Sequence, residues 1–106
     1  MTLVIFDPEA QAEFLAAVQY YEDCQHGLGR RFRLVVEFAI QKIVEALFRY
    51  RVLKAPFRRH LLSKFPYSII YSIEPDHIRI IALAHNKRKP GYWLNRAPDM
   101  DDNSLK

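Results

Sequence analysis

The chain has little of what most enzyme sites are built from. Its one cysteine, Cys24, excludes an internal disulfide and any thiolate metal framework. Cys24 also stands beside Asp23, the wrong field for an activated thiol. The three glycines, Gly27, Gly29 and Gly91, form no phosphate-cradling loop. The four histidines, His26, His60, His77 and His85, are scattered, and no pair has the spacing of a metal site. A G-x-S-x-G nucleophile elbow is missing. No apolar run approaches the length of a membrane span. Val4-Ile5-Phe6 is too short for a signal-peptide core and no basic residue precedes it. These absences lead us to expect a soluble, cytoplasmic protein with no metal, no cofactor and no membrane partner. At 106 residues it should form one domain around one hydrophobic core.

Acidic residues are scarce between 49 and 96, and Lys and Arg are missing from the first quarter of the chain. Residues 1–27 carry Asp7, Glu9, Glu13, Glu22 and Asp23 without a Lys or Arg. Residues 49–96 carry eleven Lys and Arg against Glu74 and Asp76. Beneath a net charge of +4 lies a molecule with an acidic and a strongly basic end. Such a field attracts a polyanion or an acidic protein, and it also suits a merely solvated surface.

The elements follow from periodicity and punctuation. Leu3-Val4-Ile5-Phe6 reads as a short buried strand. Asp7-Pro8-Glu9 then opens a helix, with Asp at the N-cap, Pro at the first helical position and Glu at the positive end of the dipole. Ala10, Phe14, Ala17, Val18 and Tyr21 give it one apolar face, and Gly27 should end it. A second helix is expected from Leu28-Gly29 to about Arg49. Its core stripe is Phe32, Val35, Val36, Ala39, Ile40, Ile43, Val44, Leu47 and Phe48; Arg30, Arg33, Glu37 and Gln41 oppose it. The stretch up to Phe57 reads as transitional, since Pro56 forbids a helix. Three strands follow: one near Leu61-Leu62, one over 67–73 and one over 78–84. Glu74-Pro75-Asp76-His77 should turn the last two into an antiparallel hairpin. The expected fold is therefore α+β, an N-terminal strand and a helical hairpin packed on a mainly antiparallel sheet in the order β-α-α-β-β-β. Residues 1–98 form this domain, and 99–106 make a polar tail expected to be disordered.

The chemistry left open is the cluster Arg58, Arg59, Lys64, Arg79, His85, Lys87, Arg88, Lys89, Tyr92, Trp93 and Arg96. Pro90 is expected to open a single helical turn that carries Tyr92 and Trp93. Strict alternation puts Arg79 with Ile81, Leu83 and His85, opposite Ile78, Ile80, Ala82 and Ala84. With the second set on the helices, Arg79 and His85 share the open side of the sheet. Arginines there suit phosphate clamps, Tyr92 and Trp93 suit base stacking, and His85 suits acid–base cleavage of RNA through its own 2′-hydroxyl, without a metal. The plainer reading makes His85 a strand-end residue and Trp93 a lid on the core.

The order of Asp7-Pro8-Glu9-Ala10, Tyr20-Tyr21-Glu22, Gly27-Leu28-Gly29 with Phe32, Phe65-Pro66-Tyr67 with Ile70-Tyr71, and His85 with Arg88-Lys89-Pro90-Gly91-Tyr92-Trp93 and Arg96 resembles the RelE/ParE superfamily of bacterial toxins. The resemblance covers residues 3–96. It implies the toxin half of a type II toxin–antitoxin module, neutralised in a hetero-oligomer by a small, partly disordered cognate antitoxin. RelE-like members cut mRNA on the ribosome; ParE-like members inhibit DNA gyrase. In the RelE-like pattern an arginine follows the aromatic that Tyr67 represents; this chain has Ser68. The Phe65-Pro66-Tyr67 sequence and the tail are closer to the ParE-like plasmid-stabilisation group, which implies growth inhibition through gyrase. In that reading Arg58, Arg59, Arg79, Lys87, Lys89, Trp93 and Arg96 contact the target. The alternative is a ribosome-dependent mRNA endonuclease with His85, Arg88 (or Lys87) and Tyr92 (or Trp93) as its catalytic set. A third reading is an inactive relative that binds only its antitoxin.

Overall fold

The structure, a computed structural model, describes residues 3–47 and 51–96. The 99–106 tail, Phe48 and the expected helix end at Arg49 lie outside the described residues. The elements are β1 (Val4–Phe6), α1 (Pro8–Cys24), α2 (Leu28–Glu45), β2 (Arg51–Lys54), β3 (Phe57–Leu61), β4 (Tyr67–Ile73), β5 (Ile78–His85) and a 3-10 turn, Leu94–Arg96. The sheet order is β1-β5-β4-β3-β2, with β1 parallel to β5 and the other pairs antiparallel. This is the expected α+β class with one more strand. β2 had read as transitional because it is short, has a charge at each end and stands next to Pro56. Its pairing with β3 is what makes it a strand.

The helical hairpin turns on a carboxylate. α1 stops at Cys24, before the expected Gly27, and Gly27 serves α2 as its N-cap at φ 87, a left-handed value that glycine adopts without strain. Glu22 reaches forward and accepts the N–H groups of Gly27, at 3.0 Å, and Gly29, at 3.1 Å. Those donors hold its pKa below the ordinary carboxylate value. Gly29 has a second reason to lack a side chain. A Cβ there would lie 2.5 Å from the Val18 carbonyl oxygen, so only glycine lets the helices approach this closely.

Between helices and sheet lies the main core: Ala10 and Ala17 from α1, Phe32, Val36, Ala39 and Ile43 from α2, and Ile69, Tyr71, Ile78, Ile80 and Leu83 from the sheet. A smaller cluster covers the other face, where Phe57, Ile70, Ile81, Ala82 and Ala84 meet Trp93. The two clusters reveal a phase change in β5. Tyr71 pairs with Ile80 and Ile70 with Ala82, so Ile81 is an extra, bulged residue. Before the bulge Ile78 and Ile80 face the helices; after it Leu83 does, while Ala82 and Ala84 face the tail. The expectation that Arg79 and His85 share the open face is therefore corrected. The bulge lies between them and turns His85 toward the helix side, where its ring stands 5.1 Å from that of Tyr67.

Candidate functional site

The residues after β5 fold back over the open face of the sheet. Trp93 is 5% exposed and seals the small cluster, its ring centroid 5.1 Å from that of Phe57. The helical turn expected to carry Tyr92 and Trp93 forms one step later, at Leu94–Arg96. Burial of the indole fixes the chain direction here, so Tyr92 and Arg96 arrive at the free edge of β5.

That edge needs partners, because β1 pairs with β5 only over Ile78–Ile80. The Ile80 carbonyl accepts the Asp7 N–H at 2.9 Å. Beyond it, the Ile81 carbonyl accepts from Arg96 at 3.2 Å, and the Leu83 N–H donates to Glu13 of α1 at 3.0 Å. The same Glu13 carboxylate takes the Tyr92 hydroxyl at 2.8 Å and the Arg96 guanidinium at 3.0 and 3.1 Å, with Arg88 at 3.5 Å. Glu13 is thus the hub that ties the basic tail to the acidic helix. Tyr92 is pushed well above the ordinary tyrosine pKa, first by burial and then by its hydrogen bond to Glu13. The Arg88 guanidinium stacks on the Tyr92 ring at 3.7 Å.

The expected site residues separate into two groups. Arg79 and Arg96 are structural in their contacts: Arg79 pairs with Asp7, and Arg96 with Glu13. Trp93 is buried against Phe57. Arg58 lies opposite Tyr71 on the helix side of the sheet, whereas Arg59, opposite Ile70, projects to the tail side. Neighbouring strand residues cannot serve one surface, so the two arginines part company. The second group gathers around a hollow of about 320 Å³ beside the tail. Arg59, His85, Arg88 and Lys89 line it together with Tyr92 and Trp93, over a floor that includes Leu61, Ile70 and Ala84. Among the described residues neither Arg59 nor Lys89 has a carboxylate partner. Lys87 is exposed nearby and its N–H donates to His85 Nδ1 at 3.1 Å.

Ser68, the position that lacks the RelE-like arginine, is buried on the wall of this hollow, and its hydroxyl donates to Asn86 Oδ1 at 2.6 Å. Sequence reasoning missed Asn86, counted Glu13 only as charge, and read Asp7 only as charge and as the N-cap of α1. The one available signal was two acids placed in the first two turns of α1 in a chain whose arginines lie far downstream.

The geometry offers a cationic rim on an apolar floor, a surface for an acidic partner. No group of three His, Cys, Asp or Glu able to hold a metal ion occurs among the described residues. No helix among them is long and apolar enough to cross a membrane. Residues 4–90 match the family model described as ParE toxin of type II toxin-antitoxin system, parDE. A solved chain from the chromosomal ParDE TA system of P. aeruginosa has the same fold, with a TM-score of 0.58 at 13% identity. That alignment covers 80% of this chain and 96% of the other. No curated protein matches. The family match spans most of the chain and includes both helices and the whole sheet: the chain belongs to the ParE toxin family of type II toxin–antitoxin systems.

Proposed function

We propose that the protein is a toxin that inhibits DNA gyrase by binding it, and that a small, partly disordered antitoxin neutralises it. The observation that carries binding over RNA cleavage is the bond from the Tyr92 hydroxyl to Glu13. A hydroxyl that donates to a carboxylate, with its pKa raised, is a poor proton donor and stays protonated at neutral pH, so it serves as neither acid nor base. Arg88 stacks on the same ring and leans to the same carboxylate, so the two tail members of the nuclease set are spent on holding the tail. Where a third clamp would stand, Ser68 is closed off by Asn86.

What the hollow retains is positive charge at Arg59 and Lys89, without a carboxylate partner among the described residues, with Lys87 nearby, around an apolar floor. Such a rim recruits an acidic protein surface by electrostatic steering, and the floor accepts one apolar anchor. The test is a gyrase supercoiling assay with the purified protein, run beside ribosome-programmed mRNA. Inhibited supercoiling with intact mRNA is expected. Codon-phased mRNA cuts with normal supercoiling would sink the reading, and growth without arrest on expression would favour an inactive relative.

A further inference from the structure

The side chains around the hollow beside the tail are rich in donors, because their acceptors are already engaged. Ser68 is 2% exposed, so its hydroxyl needs a partner within the fold, and it donates to Asn86 Oδ1 at 2.6 Å. That bond fixes the amide. With its oxygen engaged, Asn86 offers N–H groups to the hollow that it lines. His85 Nδ1 accepts the Lys87 N–H at 3.1 Å, so the neutral ring carries its proton on Nε2. The Tyr92 hydroxyl donates to Glu13. Arg59, Arg88 and Lys89 have donors alone to give, and no carboxylate lines the hollow.

Beneath those donors the floor is apolar. Leu61, Ile70 and Ala84 contribute to it, and Leu61 is 54% exposed, a large side chain that the fold leaves uncovered. Trp93 stands in the wall, packed against Phe57, and Arg88 stacks on the neighbouring Tyr92 ring at 3.7 Å. The volume of about 320 Å³ lies at the small end of the roughly 300–1,000 Å³ typical of small-molecule sites.

We propose that the hollow is a binding site for a small organic anion, a carboxylate on a single aromatic or branched alkyl body, and that its occupancy shuts out the target. The second half rests on the toxin reading given above; the first half does not. The carboxylate accepts from the Asn86 amide and from the Arg59 or Lys89 head group, in charge-assisted hydrogen bonds. The apolar body covers Leu61 and Ile70 and removes them from water. A nucleotide fits worse, because its ribose hydroxyls and base amino groups need acceptors and those of the lining side chains are taken. Bare phosphate leaves the floor uncovered, and a neutral apolar molecule leaves the cations unanswered.

The test titrates the full chain with 3-phenylpropionate and follows the emission of Trp93, the only tryptophan. A saturable change is expected, with the neutral analogue 3-phenylpropionamide at least tenfold weaker. Arg59→Ala and Lys89→Ala should each bind the acid several-fold more weakly. Lys89 is exposed, so its variant keeps the wild-type melting temperature whatever the Arg59 variant does. Asn86→Asp retains an acceptor for Ser68 but replaces the amide donors by a like charge, and it should abolish binding. In the gyrase supercoiling assay the acid should relieve inhibition in step with occupancy, and the amide should not. Equal affinity for acid and amide would overturn the anion site in favour of a plain apolar cavity. Displacement of the acid by inorganic phosphate at equal concentration would overturn the role of the floor, and no saturable change would overturn the site altogether. Undiminished inhibition by the acid-bound chain would overturn the blockade. A wild type that never inhibits gyrase would overturn the blockade together with the target reading, while the emission titration still decides the site.

Discussion

Arg79 grips Asp7 with two parallel hydrogen bonds, Nε to Oδ1 at 2.7 Å and Nη2 to Oδ2 at 2.8 Å, and Nη2 also donates to the Arg96 carbonyl at 2.8 Å. Asp7 stands at the N-cap of α1, yet its side chain makes no capping bond. It is spent instead on a strand residue 72 positions away. One guanidinium thereby joins the starts of α1 and β5 to the end of the tail.

Removing that guanidinium should unfold before it disarms. Both side chains are mostly buried, so Arg79→Ala strands a carboxylate and should cost about 2 kcal/mol, between the values for exposed and fully buried pairs. Denaturant melts would measure it. At equal amounts of folded protein, target inhibition should match the wild type. A variant of unchanged stability that had lost inhibition would make Arg79 a contact residue instead.

Glu13 should matter more. Glu13→Ala removes the acceptor of the Leu83 N–H, the Tyr92 hydroxyl and the Arg96 guanidinium together, at a cost of about 3 kcal/mol. The tail should loosen from the β5 edge. Trp93 is the only tryptophan, so its emission reports this directly. A red shift under native conditions is expected, and an unshifted spectrum would mean that apolar packing alone holds the tail.

These two ties explain what the sequence could and could not disclose. The helices were legible because each buries one stripe: Ala10 and Ala17 on α1, and Phe32, Val36, Ala39 and Ile43 on α2, recur with the helical period. The hairpin of β4 and β5 was legible from its turn. The bulge was not, because Ile80-Ile81-Ala82 is apolar throughout and carries no marker of phase. Nor were the partners of the basic tail, since Asp7 and Glu13 answer arginines more than 70 residues away and local spacing says nothing about such pairs. The cluster of cations was visible as composition. Which of those on the hollow's rim lack a carboxylate partner among the described residues, Arg59 and Lys89, required the fold.

Alkali gives a separate handle on Tyr92. Its folded pKa lies above the unfolded value of about 10. The stability it contributes is therefore complete below pH 10 and is lost as pH rises through that value toward the folded pKa. Melting temperature should fall above pH 10 more steeply in the wild type than in Tyr92→Phe. Burial also raises Tyr21 and Tyr67, so the difference between the two proteins is the measure. Identical alkaline profiles would mean that Tyr92 is not held by Glu13 in solution.

The last prediction separates binder from nuclease on the hollow itself. Arg59 is half-buried on the hollow wall and without a carboxylate partner among the described residues, so Arg59→Glu should change stability by no more than about 1 kcal/mol. Reversing the charge on the rim should nevertheless weaken inhibition of supercoiling more than tenfold, and Lys89→Glu should add to it, because like charges now face an acidic partner. His85→Ala should have little effect, since the imidazole lies against Tyr67 and accepts the Lys87 N–H. A nuclease predicts the reverse ranking, because losing an acid–base group costs on the order of a hundredfold or more while a rim charge tunes only affinity. Dose–response curves for the three variants in the supercoiling and mRNA cleavage assays would therefore rank His85 below Arg59 for a binder and above it for an enzyme.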